Sequence, residues 1–378
     1  MSHRPHFSLS HRRNRWIFLG LLTLCLDALL GANPYFAESF YSQGLFLLFR
    51  TVWDYTLGWS PLPWVYVLAL VLAGFCLYAC RAAVRAVRRG QRNVRQQAGH
   101  MLLNLLAAVG GIITLFFWLW GFNYNRQPVE HRLGLHLPDA GERLLAAEWR
   151  WAVAEATAAR AVFDTSAQAL MVPPYPARLE DTLRAGLEAV LADMGYPTAG
   201  RVRGRVVYPP GTLMQLGASG IYIPFVAEGH IDAGLHPLSV PYTLAHELAH
   251  GYGFGDEGTC SFLAYLACMR TAQPAIHYAA ALSYWREVAV QYRQTIGDSL
   301  YLTERATLPP GMIADIDSVN ACLHRYPGFF PRFSQDAYDL YLQSQGIDEG
   351  SLNYSRVIVL LRAWRQRDST ASVVTLPQ

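Results

Sequence analysis

Three apolar runs in the first third of the chain leave the backbone there little choice. Trp16–Ala32, Trp64–Cys80 and Met101–Trp120 are 17, 17 and 20 residues long. A hydrocarbon core takes about 20 residues of helix to cross. In lipid every peptide N–H and C=O must be paired within its own segment, so such runs are expected to be helices. Asp27 interrupts the first run, for which a cleaved leader is the competing reading. The two further runs, and the basic leader carrying Arg4, Arg12, Arg13 and Arg15, favour an uncleaved anchor.

Arginine placement orients these spans. The segment between the second and third holds Arg81, Arg85, Arg88, Arg89, Arg92 and Arg95, whereas the segment between the first and second holds Arg50 alone. Basic segments stay in the cytoplasm, which puts the N-terminus inside and everything after Trp120 outside. Residues 1–100 carry a net charge of +8 and the remainder −5, giving +3 for the chain. The basic excess is therefore topological: a lipid bilayer is an expected partner and nucleic acid is not. Between the first two spans, residues 33–63 are aromatic-rich, as expected of a layer at the membrane–water boundary.

The chemistry lies further on, in His246-Glu247-Leu248-Ala249-His250. Residues i and i+4 share one helical face, so the two imidazoles of H-E-x-x-H can reach one Zn²⁺. Glu247 is then placed as general base for a water activated by the ion. The motif sits in an apolar stretch, Tyr242–Tyr252, bounded by a proline-containing turn and by Gly251, Gly253 and Gly255. A catalytic zinc needs a third protein ligand. Glu257, at the start of the next helix, is favoured, with Asp256 as the alternative; the carboxylate left over would orient a histidine.

Residues 122–378 are expected to form one α+β domain, mostly helical with a small sheet. Helices are expected over Ala140–Asp164, Arg178–Met194, Thr259–Met269, Ala275–Gln294, Met312–His324, Asp336–Gln345 and Tyr354–Gln366. Arg201–Tyr208 and Gly220–Ala227 read as strands. Ser219–Val226 is placed to bind substrate as an edge strand through Ser219, Gly220 and Tyr222. Tyr222, Tyr252, His277, His324 and Tyr338 are the candidates for an oxyanion donor. His230 and His236 are expected to be surface or hydrogen-bonded structural residues. A Cys268–Cys322 disulfide is possible in an outer domain.

Several stretches together resemble the bacterial membrane-anchored family known as domain of unknown function 3810. They are Gly121-Phe122-Asn123-Tyr124, Ser219 to Phe225, His246 to His250, Asp256-Glu257 with Phe262-Leu263-Ala264, Tyr338 to Leu342, and Asn353 to Val357. The resemblance covers essentially the whole chain and implies a zincin-like metallopeptidase fold. The expected function is hydrolysis of peptide bonds in a peptide or protein substrate at the outer face of the bacterial cytoplasmic membrane. A non-catalytic zinc-bearing sensor or assembly factor is the alternative. Intact Glu247 argues against that alternative, because a binding-only site needs no general base.

Overall fold

The chain divides into two compact units, Met1–Arg126 with Ile223–Ala227, and Gln127–Tyr222 with Glu228–Gln378. The computed structural model describes residues 12–90, 93–139, 141–329 and 356–374, the side chains of 368–374 excepted. The expected helix Asp336–Gln345 lies outside the described residues, as do the stretches Tyr338–Leu342 and Asn353–Ser355, and Arg4 and Arg92.

The first unit is built on α1 (Arg12–Gly31), α2 (Phe46–Leu57), α3 (Trp64–Arg88) and α4 (Val94–Leu119). Of these, α1, α3 and α4 are long and apolar enough to cross a membrane. All three extend beyond the apolar runs that announce them, α1 starting four residues earlier at Arg12. α3 continues to Arg88 because its alanine- and arginine-rich end contains no breaker before Gly90, at φ +64°. α4 begins at Val94, where Asn93 and Gln96 close a reciprocal capping box. α1 and α4 cross where Gly20 meets Gly110, so closely that a Cβ on Gly20 would stand 2.6 Å from the Gly110 Cα. Only glycine lets two backbones approach this far.

The aromatic segment is itself helical, a π-helical stretch Ala37–Leu45 running into α2. Tyr41 and Phe46 are buried, while Tyr35, Phe40, Tyr55 and Trp59 face outward. The Tyr41 hydroxyl lies 3.0 Å from the carbonyls of Phe117 and Trp118. The Trp53 indole donates to the Phe225 carbonyl at 3.1 Å, which ties Ile223–Ala227 into this unit.

The second unit is mostly helical around a three-stranded sheet, β1 (Arg203–Val207), β2 (Gly220–Ile223) and β3 (Glu228–Asp232), in the order β1-β3-β2. Its helices are α5 (Glu142–Ala161), α6 (Leu179–Asp193), α7 (Val240–Gly251), α8 (Glu257–Met269), α9 (Pro274–Ile296), α10 (Asp298–Arg305), α11 (Pro310–His324) and α12 (Arg356–Val374). Almost every residue of α8 is buried, so it forms the spine of the core. Glu148 of α5 is fully buried and accepts from the Tyr284 hydroxyl at 2.8 Å and from the Arg365 guanidinium, which docks α9 and α12 on α5. A buried carboxylate of this kind is tolerable only because each oxygen is satisfied.

Three expectations change. The strand expected over Gly220–Ala227 stops at Ile223, because Pro224 has no N–H to pair and Ala227 turns at φ +50°. The central strand β3 went unforeseen. It pairs in parallel with β1, Arg203 opposite Glu228 and Gly204 opposite Gly229. His230 on β3 is fully buried and is neither a surface residue nor hydrogen-bonded; its Nε2 lies 3.4 Å from Glu228 Oε2. Third, Cys268 and Cys322 are free thiols: Cys268 is enclosed in α8, and Cys322 Sγ donates to the Gly234 carbonyl at 3.0 Å.

The alternation of β1 and β3 explains how α7 is seated. Gly204 and Gly229 point at α7, where a Cβ on Gly204 would lie 2.2 Å from Leu244 Cδ1 and one on Gly229 2.7 Å from Glu247 Cβ. The next residues along, Arg203, Glu228 and His230, turn to the opposite face. At Gly204 and Gly229 the sheet therefore presents no side chain to α7, and the motif helix approaches its backbone closely there.

Candidate metal centre

Local sequence sets the ends of α7. Before it, the His236 ring accepts from Leu238 N at 3.2 Å and reaches Ser318 Oγ at 2.9 Å, the hydrogen-bonded structural role expected of it. Pro241 occupies the first turn, where a missing N–H costs nothing. Past Gly251 the chain leaves the helix through Gly253 at φ +86°, a left-handed conformation suited to glycine. Four residues after Gly253 α8 begins, and its first turn comes back against α7.

Here the two carboxylates separate. Asp256 caps α8: its Oδ1 accepts from Thr259 N at 2.6 Å and from Thr259 Oγ1 at 2.5 Å. Glu257, the first residue of the helix, is buried and faces the histidines. Its Oε2 lies 3.0 Å from His246 Nε2 and 3.4 Å from His250 Nε2, and the two nitrogens are 3.1 Å apart. Ligands at about 2.0–2.2 Å around a tetrahedral zinc stand roughly 3.3–3.6 Å from one another. The three donors thus form a triangle close to one face of that tetrahedron.

The far edges of both rings are held. His250 Nδ1 lies 2.8 Å from the Phe254 carbonyl, which can only accept, so Nδ1 carries a proton and Nε2 is the ligating nitrogen. His246 Nδ1 lies 3.2 Å from Ser261 Oγ. Burial opposes ionisation of Glu257, yet the two imidazoles outweigh it and hold the carboxyl well below the usual range. His250 sits well above its ordinary value: burial lowers it, but Cys260 and Glu257 more than offset this. Burial dominates at His246, whose value falls.

Glu247 points elsewhere, against the glycines of the sheet. A Cβ on Gly220 would stand 2.5 Å from Glu247 Oε1. Oε2 is buried without a hydrogen-bond partner, and burial pushes the carboxyl up to about 8, with His250 opposing. Glu247 thus presents a buried, unpartnered carboxyl oxygen on the same helix as His246 and His250.

One participant carried no signal in the sequence. Cys260 Sγ lies 3.4 Å from His250 Nδ1 and 3.3 Å from the Phe254 carbonyl. His246, His250 and Cys260 bring ligand atoms within 4.8 Å of one another and are a second set able to hold an ion. The Glu257 set fits better. Cys260 faces the edge of His250 that the Phe254 carbonyl already uses, and burial raises its thiol to about 11, where it stays protonated. Its position three residues into α8 could have been read only with the α7–α8 turn in hand.

Of the residues expected to bind substrate, Gly220 and Tyr222 lie on β2, an edge strand of the sheet, and Ser219 immediately precedes it. Ser219 is exposed and its carbonyl accepts from Asp232 N at 3.0 Å, while Gly220 adjoins Glu247 as described. The partly exposed Tyr222 ring reaches α7, where a Cβ on Gly251 would meet its Cε2 at 3.4 Å. Of the other donor candidates, Tyr252 gives its hydroxyl to Glu188 Oε1 at 2.7 Å and His277 Nε2 lies 2.5 Å from the Thr271 carbonyl. His324 is exposed at the end of α11, and Tyr338 lies outside the described residues.

Residues 41–362 match the family model described as protein of unknown function (DUF3810), and the chain belongs to that family. No curated protein and no solved structure matches it.

Proposed function

We propose that this member of the family is a membrane-anchored, zinc-dependent metallopeptidase with a zincin-like catalytic unit. The observation that carries the reading is the triangle of His246 Nε2, His250 Nε2 and Glu257 Oε2, with the unpartnered Glu247 carboxylate on the same turn of helix. Bound to those donors, zinc would acidify a water and polarise a carbonyl oxygen. Everything else falls to the protein. Glu247 takes the proton from the attacking water and returns it to the departing amine nitrogen, which separates the two fragments of the peptide. Gly220 leaves room for that carboxylate to move between the two positions. β2 is an edge strand of the three-stranded sheet, and its main chain would take an extended peptide as an added strand, a mode that tolerates varied side chains. Tyr222, adjoining α7, is the donor best placed to meet charge developing on the carbonyl oxygen.

The spans and the arginine distribution support a multi-pass protein of the bacterial cytoplasmic membrane, N-terminus inside and catalytic unit outside. The test uses the full chain purified in detergent. Metal content is measured, and cleavage of a peptide library is followed by mass spectrometry beside the Glu247→Gln variant. Zinc at one per chain with cleavage lost in the variant supports the enzyme. Zinc at one per chain without cleavage by either protein supports the alternative, a zinc-bearing sensor or assembly factor.

A further inference from the structure

A feature of the first unit is independent of the metal centre. On α3, Leu77 and Tyr78 follow Gly74 by three and four residues, and Arg81, Arg85 and Arg88 continue from Tyr78 at spacings of three, four and three, so they form one stripe along the helix. The stripe lines a groove of about 570 Å³. All six residues are exposed, and a Cβ on Gly74 would meet nothing within 4 Å, so the groove is open at its apolar end. The other end carries three arginines. No Asp or Glu occurs between Asp54 and Glu130. Among the described residues none of the three arginines has an acidic partner, and the Arg85 Nε donates only to the Arg81 carbonyl, at 3.3 Å.

We propose that this groove binds an anionic glycerophospholipid, its phosphodiester on Arg81, Arg85 and Arg88 and an acyl chain along Tyr78, Leu77 and Gly74. The charge pattern selects this occupant. Planar guanidiniums one helical turn apart match phosphate oxygens. The apolar continuation of the same stripe belongs to a helix of membrane-crossing length, which suits a chain of methylenes and offers nothing to a nucleic acid or a peptide. Gly74 leaves the apolar end of the stripe without a side chain, in open space that an acyl chain can occupy.

The experiment uses the full chain in neutral detergent and measures binding of phosphatidylglycerol, phosphatidylcholine and inorganic phosphate by native mass spectrometry. Each is compared with the doubly substituted Arg81→Gln/Arg85→Gln and with Arg89→Gln/Arg95→Gln, which removes the same charge from positions that do not line the groove. Each arginine near a bilayer surface contributes enough that losing two should weaken phosphatidylglycerol binding about 10- to 30-fold. The control pair should stay within about twofold of the native chain, and phosphatidylcholine should bind at least 10-fold more weakly than phosphatidylglycerol. Equal losses in both double variants would overturn the site in favour of diffuse net charge. Equal affinity for the two lipids, or phosphate binding as tight as phosphatidylglycerol, would overturn it as well.

Discussion

Gly220 and Glu247 stand so close that the smallest side chain would not fit between them: a Cβ on Gly220 would lie 2.5 Å from the Glu247 Oε1. The edge strand and the proposed general base are therefore one steric unit. Gly220→Ala should force the carboxylate aside and lower kcat at least 10-fold, with zinc content unchanged. Native turnover in that variant would show that Glu247 does not work from this position.

His246→Ala and His250→Ala should each lose most of the bound zinc, since two remaining donors cannot hold it tightly. Because folding and metal binding are linked, a chelator should lower the Tm of the native chain more than that of either variant. Full zinc in either variant, by elemental analysis, would refute the ligand assignment.

Glu247→Gln keeps the size of the side chain but cannot accept a proton. It should retain zinc and lose peptide hydrolysis by at least about 10²-fold. Undiminished cleavage would remove Glu247 from the mechanism.

The adjacent carboxylates should respond in opposite ways. Glu257→Ala removes a vertex of the donor triangle and should abolish tight zinc binding. Asp256→Ala removes the α8 cap, costing about 1 kcal/mol of stability and a lower Tm, while Asp256→Asn should restore it. Zinc lost from Asp256→Ala and kept in Glu257→Ala would exchange their roles.

A phosphatase reporter active only outside the cytoplasm should be on when fused at the C-terminus and off when fused within Arg81–Arg95. The reverse pattern would place the second unit inside the cell.

What the sequence determined by itself was whatever depends on near neighbours. Apolar runs of 17 to 20 residues announce α1, α3 and α4, because a helix satisfies its own backbone. The i, i+4 spacing of His246 and His250 places both rings on one face wherever the helix sits. The rest required contacts between distant segments. β3 reads as a polar stretch, Glu-Gly-His-Ile-Asp, yet it is the buried central strand, since Glu228 lies against Arg203 of β1, 25 residues earlier, at 3.6 Å. Glycines at 204, 220 and 229 look like turn residues in the chain. Only the packing of α7 on the sheet shows that Gly220 and Gly229 seat Glu247 while Gly204 makes room for Leu244. Asp256 and Glu257 are chemically near-equivalent and adjacent. The Gly253 turn and the start of α8 decide that one caps a helix while the other reaches two imidazoles, because a one-residue step on a helix rotates a side chain by about 100°.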